Sequence, residues 1–310
     1  MNILEPVNQI ELFGLSKYFN ELVKLENRNI LPNKILLSGQ KGLGKSTLAY
    51  HFINYVLSKN EPFNYDIDKF MINVDNTSFK TVLNKSNPNL ILIDIDKDKK
   101  SIDVHQIREL ISNLNKSSFN NKPRFVLIDN IEFLNVNSIN ALLKILEEPT
   151  LNTFFILINN DKKVLATLLS RCINFRISLT NTEILDITEK LLNGNLNKII
   201  NKDLINYYLT PGNIFRLFEF GKSNDYDLLN LNLKDLLKLI IKNNHFKSDN
   251  SIKYLFYDFI EFYFNKINKS ISSDIYKRYS YYLKRISDTK KFNLDEESLL
   301  IEFEKEMLNA

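Results

Sequence analysis

Residues 125–172 read FVLIDNIEFLNVNSINALLKILEEPTLNTFFILINNDKKVLATLLSRC. Two apolar runs frame this stretch, RFVLI at 124–128 (counting the preceding Arg124) and TFFILI at 153–158. Both are short and apolar throughout, so they predict strands covered on both faces rather than strands with one wet side. The segment between them predicts a helix over Ser138–Glu148, stopped by Pro149, whose ring cannot continue a helix.

The same alternation extends upstream. KILLS at 34–38 and NLILIDI at 89–95 predict two more strands. Helices are predicted over 15–27, with Leu15, Phe19, Leu22, Val23 and Leu25 mostly at helical spacing, over Lys45 to about Leu57, and over 102–114, with Ile107, Leu110, Ile111 and Leu114 on one face. Pro32 ends the first segment, and residues 60–88 are expected to be irregular and polar. Strands alternating with helices imply an α/β fold with a parallel sheet. After about Thr180 the pattern changes to helices only, including Ser251–Ile267, Ser273–Ile286 and Asp295–Leu308. The expected organisation is an α/β domain over 1–180, a small helical domain over 181–224 and an all-α domain over 225–310.

Bulk composition restricts the function classes. A chain of 310 residues suits two or three domains. With 7 glycines and 7 prolines it should be helix-rich with few flexible linkers. A net charge of +4 permits a polyanion partner but is low for a protein that coats nucleic acid. Cys172 is the single cysteine, so an internal disulfide and a cysteine-based zinc site are both excluded. The N-terminus has no basic start followed by an apolar run, and no stretch approaches the roughly 20 apolar residues needed to cross a bilayer. These features predict a cytoplasmic protein with no membrane association.

The first chemical signal is Gly39-Gln40-Lys41-Gly42-Leu43-Gly44-Lys45-Ser46, which matches G-x-x-x-x-G-K-[ST] between a predicted strand and a predicted helix. Gly39, Gly42 and Gly44 let the backbone curl so that its N–H groups face phosphate oxygens. Lys45 adds a positive charge, Ser46 can ligate Mg²⁺, and Thr47 continues the first helical turn at the positive helix end. ATP and Mg²⁺ are therefore the expected cofactors. A Mg²⁺-holding carboxylate is needed as well, and two strands end in one: Asp94 and Asp129. Periodicity does not choose between them.

The ordered run from 125 to 172 resembles the AAA+ clamp-loader family of the bacterial DNA polymerase III holoenzyme. Its elements are the acidic strand end, the helix closing on NALLKILEEP at 140–149, the apolar strand, and Ser170-Arg171-Cys172. LFG at 12–14, ILLSGQKGLGKSTLAY at 35–50 and IDVHQIRELI at 102–111 fit the same pattern. The resemblance implies that Asp129 is the Mg²⁺-site carboxylate, that a helical lid and a C-terminal helical collar follow the AAA+ domain, and that Asn159 and Arg216 occupy phosphate-sensing positions. It also implies that Arg171 projects into the ATP site of a neighbouring subunit. Without that resemblance, Arg171 would read as a surface or helix-capping residue.

Departures from the motor subunits of this family point to its delta-prime type. Asp129 is followed by Asn130 where the motors carry glutamate, and a carboxamide cannot act as a general base. Glu132 lies close by but offset. Residues 58–88 stand where the motors carry a four-cysteine zinc module and contain no cysteine, so no zinc is expected. The implied partners are delta and gamma/tau subunits, with the sliding clamp reached indirectly and primer–template DNA reached through the assembly. The implied role is assembly, with weak or absent ATPase activity. An active ATPase of the gamma/tau type and an unrelated P-loop kinase or nucleotide switch are the competing readings.

Other reactive residues fit ordinary structural roles. Cys172 is expected to be a small core residue, and His51, His105 and His245 show no ligand spacing. Asp96–Lys100 reads as a solvated loop. The aromatic residues between Tyr254 and Phe264 exceed what one amphipathic stripe needs, which suggests a second partner for that helix.

Overall fold

The computed structural model describes residues 5–96, 99–116, 120–148, 150–206, 209–248, 250–267, 273–292 and 294–308. Pro149 and the Lys97-Asp98 pair of the predicted solvated loop lie outside this set, as does the Tyr254 side chain. By its internal contacts the chain divides into two compact units, Met1–Ile187 and Thr188–Ala310.

The first unit is a parallel sheet of β1 (Lys34–Ser38), β2 (Leu90–Ile93), β3 (Arg124–Ile128), β4 (Thr153–Asn159) and β5 (Ile173–Arg176), in the order β2-β3-β4-β1-β5. The central strands are covered on both faces because alternate residues feed separate cores. Ile35, Leu37, Phe125, Leu127, Ile156 and Ile158 pack with α1 (Ser16–Asn27) and α2 (Lys45–Ser58). Leu36, Val126, Ile128, Phe155 and Leu157 pack on the other side. That core is closed by α4 (Val104–Leu114) and α5 (Val136–Glu147), which follow the short α3 (Thr77–Leu83) in the chain. Three basic residues or polar caps secure the helix ends. Asp103 and Gln106 form a reciprocal capping box at the start of α4, Arg124 donates to the Leu114 and Lys116 carbonyls at its end, and Lys34 Nζ donates to the Leu146 carbonyl of α5 at 2.8 Å.

Three sequence expectations are corrected. Residues 60–88 contain α3, seven residues long, started by the Asn76 side chain accepting from Phe79 N and anchored by buried Phe79. A helix with one apolar anchor is too short to show a period. β5 was not expected either; it is four residues at the sheet edge, with only Phe175 buried. β2 lies at the opposite edge and is shorter than its apolar run, and Leu92 is 45% exposed, so burial on both faces holds only for the inner strands. A one-turn α6 (Ala166–Leu169) precedes β5, and α7 (Asn181–Leu192) follows it across the division between the units.

The second unit is helical: α8 (Pro211–Ser223), α9 (Leu233–Lys242), α10 (His245–Ser248), α11 (Asn250–Ile267), α12 (Ser273–Phe292) and α13 (Glu296–Phe303), with a π-type turn over Glu304–Leu308. α9 buries Leu233, Leu236, Leu237, Ile240 and Ile241, one continuous stripe at helical spacing. The aromatic surplus of α11 is also explained inside the unit. Phe256, Phe259 and Phe264 are buried, and the Phe264 ring meets Tyr282 of α12 at 5.9 Å and Phe303 of α13 at 5.7 Å. Packing inside the unit thus supplies a partner for these buried rings, with α12 and α13 meeting Phe264.

Candidate nucleotide site and the Arg171 surface

The loop from β1 to α2 has the backbone that its glycines allow. Gly39, Gly42 and Gly44 adopt φ of 146°, 90° and 84°, which side chains disfavour. At Gly39 a Cβ would also lie 2.4 Å from the Ile177 carbonyl oxygen. Lys45 opens α2 and turns back into the loop, donating to the Gly39 carbonyl at 2.8 Å and the Gln40 carbonyl at 2.6 Å. Burial lowers its pKa to about 8, against the opposing pull of Asp129, Glu132 and Asp161. Ser46 and Thr47 stand half-buried on the same helical turn.

Geometry separates the two strand-end carboxylates. Asp129, at the end of β3, accepts from Ser46 Oγ at 2.5 Å through Oδ2 and from Asn130 N at 2.8 Å through Oδ1. Asp94 instead follows edge strand β2 and accepts from Asn130 Nδ2 at 2.7 Å. Burial raises the Asp129 pKa, and the Asp94 charge adds to that; the Ser46, Asn130 and Lys45 interactions oppose it. A carboxylate disfavoured in this way, beside a hydroxyl, suits a cation bound through oxygen ligands and water. Ser46 and Asp129 are the residues that would hold Mg²⁺. Among the described residues no group of three or more His, Cys, Asp and Glu side chains is arranged for a metal.

Asn130 has φ 55°, a left-handed conformation that Asn tolerates better than most residues. Its Oδ1 accepts from Asn160 Nδ2 at 2.8 Å, and that same amide donates to Glu132 Oε1 at 2.9 Å. The ends of β2, β3 and β4 are thus joined by the chain Asp94–Asn130–Asn160–Glu132. Sequence reasoning singled out Asn159, which is turned elsewhere: it donates to the Lys162 carbonyl at 3.0 Å and accepts from Lys162 N at 3.2 Å. Asn160 was not singled out. Strand alternation was the available signal, because adjacent residues at a strand end project in opposite directions.

Arg171 follows α6. Its Nη1 donates to the Thr167 carbonyl at 2.7 Å, and its Nη2 donates to a Glu147 carboxylate oxygen. Arg216 is on α8 in the second unit, where Nη1 donates to Asn213 Oδ1 at 3.2 Å. Cys172 packs half-buried against the core, and burial pushes its thiol up to about 11, which leaves it a weak nucleophile. His51 is buried between Tyr65 and the Gln9 carbonyl, His105 faces Glu109 at 3.6 Å, and His245 meets the Tyr226 hydroxyl at 2.7 Å.

Residues 14–181 match the family described as DNA polymerase III, delta subunit. The chain belongs to that family. Within DNA polymerase III, it is 25% identical over 295 residues to subunit delta' of Buchnera aphidicola (subsp. Schizaphis graminum), an alignment spanning 88% of this chain and 84% of that protein. It is 29% identical over 201 residues to subunit gamma/tau of Mycoplasma genitalium, spanning 64% of this chain but only 31% of that longer protein. A solved gamma subunit-related protein from Thermotoga maritima is 18% identical with a TM-score of 0.48, covering 91% of this chain and 96% of that one. The family match ends at residue 181, so it takes in the sheet, the phosphate loop and Arg171 but not Arg216.

Proposed function

We propose that this chain is a clamp-loader subunit of the delta-prime type, which completes the ATP site of a neighbouring subunit with Arg171. In this reading it assembles in the cytoplasm with delta and gamma/tau subunits, and the complex places the sliding clamp on primer–template DNA. Residues 1–180 form its AAA+ domain, 181–224 a lid carrying Arg216, and 225–310 a collar.

The observation that carries the reading is the pairing of an intact phosphate loop with a disabled base position. Lys45, Ser46 and Asp129 are the residue types that ATP and Mg²⁺ would need, and Ser46 lies against Asp129, yet the residue after Asp129 is an amide already engaged by Asp94 and Asn160. Glu132 is likewise engaged by Asn160. Such a site can hold nucleotide but lacks a group poised to activate water. Chemistry then falls to a partner, and the surface around Arg171 suits one. Leu165, Leu169 and Ile173, on either side of it in the chain, are 46%, 40% and 55% exposed, a set of apolar side chains that gains by being covered.

A second reading, an ATPase in its own right, draws on the Ser46–Asp129 geometry and the gamma/tau relative. It predicts turnover by the isolated chain that Lys45→Ala abolishes. The decisive experiment reconstitutes the complex with Arg171→Ala in this subunit. Hydrolysis at the adjoining ATP site should fall by about 10³-fold or more. Full clamp-dependent hydrolysis with this variant would overturn the proposal.

A further inference from the structure

We infer that Glu147 is a positioning residue for Arg171, one that holds the guanidinium in a single orientation until a neighbouring triphosphate takes it up. The inference rests on the finger reading above and adds a residue to it.

Glu147 is the last residue of α5, and Glu148 follows it. The C-terminal end of a helix carries the negative end of its dipole, so acids are disfavoured there and cations favoured. Lys34 meets part of that preference at the Leu146 carbonyl. Arg171 meets the Glu147 charge itself. An acid placed against the dipole needs a compensating reason, and the guanidinium it grips supplies one.

The grip is two-sided. Nη1 is fixed by the Thr167 carbonyl on α6, and Nη2 by Glu147 at the end of α5. Two acceptors on different elements define the plane of a guanidinium, which a single-point ammonium contact could not do. The other N–H groups of Arg171 have no acceptor among the described residues, and these are the ones a phosphate oxygen would take.

The grip is also exchangeable. The Glu147 side chain is 53% exposed and that of Arg171 30%, so water screens the pair and holds it weakly. A triphosphate arriving with a partner subunit brings more charge and more acceptors than one carboxylate. The pair therefore orders the finger without withholding it.

Two measurements test this. In the isolated chain, the side-chain ¹⁵N signals of Arg171, assigned through Arg171→Lys, should report restricted rotation that Glu147→Ala releases. In the reconstituted complex, Glu147→Ala should lower kcat at the adjoining site about three- to tenfold with KM for ATP unchanged. Glu147→Gln, which keeps an oxygen acceptor, should recover part of that loss. In an Arg171→Ala background Glu147→Ala should change nothing further. Equal losses in both backgrounds, or unrestricted Arg171 signals in the unmodified chain, would overturn the inference. If Arg171→Ala lowers turnover and Glu147→Ala does not, Glu147 loses its role while the finger stands. If Arg171→Ala is itself silent, both fall.

Discussion

Ser46 Oγ lies 2.5 Å from Asp129 Oδ2, a contact between residues 83 positions apart that joins the first turn of α2 to the end of β3. It brings the two oxygen ligands expected for Mg²⁺ together before any nucleotide is considered. Asp129→Asn keeps the size but removes the charge. It should weaken MgATP binding to the isolated chain by about tenfold or more, the scale of a lost charge-assisted contact, while leaving ATP binding without Mg²⁺ nearly unchanged. Calorimetry with and without Mg²⁺ checks this; equal losses in both conditions would remove Asp129 from the metal site.

Lys45 carries a cost that only a ligand can repay. Its pKa is lowered to about 8 from 10.5, chiefly by burial, so the folded chain holds the ammonium less readily than the unfolded chain. The unfolded state binds more protons between about pH 8 and 10.5, and stability rises with pH across that window. Below pH 8 the full cost remains, about 3 kcal/mol by the shift alone and less once its two carbonyl contacts are counted. Lys45→Met should therefore raise the melting temperature of the nucleotide-free chain at pH 7 and abolish ATP binding. The thermal advantage should shrink as pH rises from 8 to 10. Melting curves across that range decide it.

How far this molecule can be read from its sequence depends on the length of each signal. β1, β3 and β4 are strong because their five to seven residues cross the centre of the sheet and are apolar on both faces. β5 was missed because at an edge only Phe175 is buried, and INFR carries no period. The phosphate loop was legible because a fixed spacing encodes backbone shape. Strand pattern alone did not choose between Asp94 and Asp129, since both follow apolar strands; the clamp-loader resemblance pointed to Asp129, and the fold sets that carboxylate beside Ser46. Glu147 was hidden for a related reason: its partner Arg171 lies 24 residues away, and no local pattern links them.

His51 makes the fold acid-sensitive. Nε2 faces the Gln9 carbonyl at 3.0 Å, so it carries the proton, and Nδ1 accepts from the Tyr65 hydroxyl at 2.9 Å. Burial lowers its pKa to about 4, while the unfolded value is near 6.5. The unfolded chain binds the extra proton between those values, so stability is present above about pH 6.5 and lost as pH falls toward 4, by up to about 3 kcal/mol. His51→Gln should be less stable at pH 7 yet lose less on acidification. Urea midpoints at pH 7 and pH 5 test the difference; parallel losses would exclude His51 as the source.

Asn130 is the residue whose replacement speaks most directly to the division of labour between fold and chemistry. Its Nδ2 donates to Asp94 and its Oδ1 accepts from Asn160. Asn130→Asp keeps the shape and the left-handed backbone, and it keeps an acceptor for Asn160. It exchanges the donor facing Asp94 for a second carboxylate oxygen 2.7 Å away. Two carboxylates so close cannot both ionise freely. The variant should lose about 1–3 kcal/mol at pH 7, the cost of a broken hydrogen bond to a charged group. Asp94→Asn in the same chain should restore most of it, because a donor then faces the new carboxylate. Denaturant unfolding of the two single variants and the double variant measures the coupling. An Asp94→Asn change that rescues nothing would mean that the contact with Asp94 is not what sets the cost of an acid after Asp129.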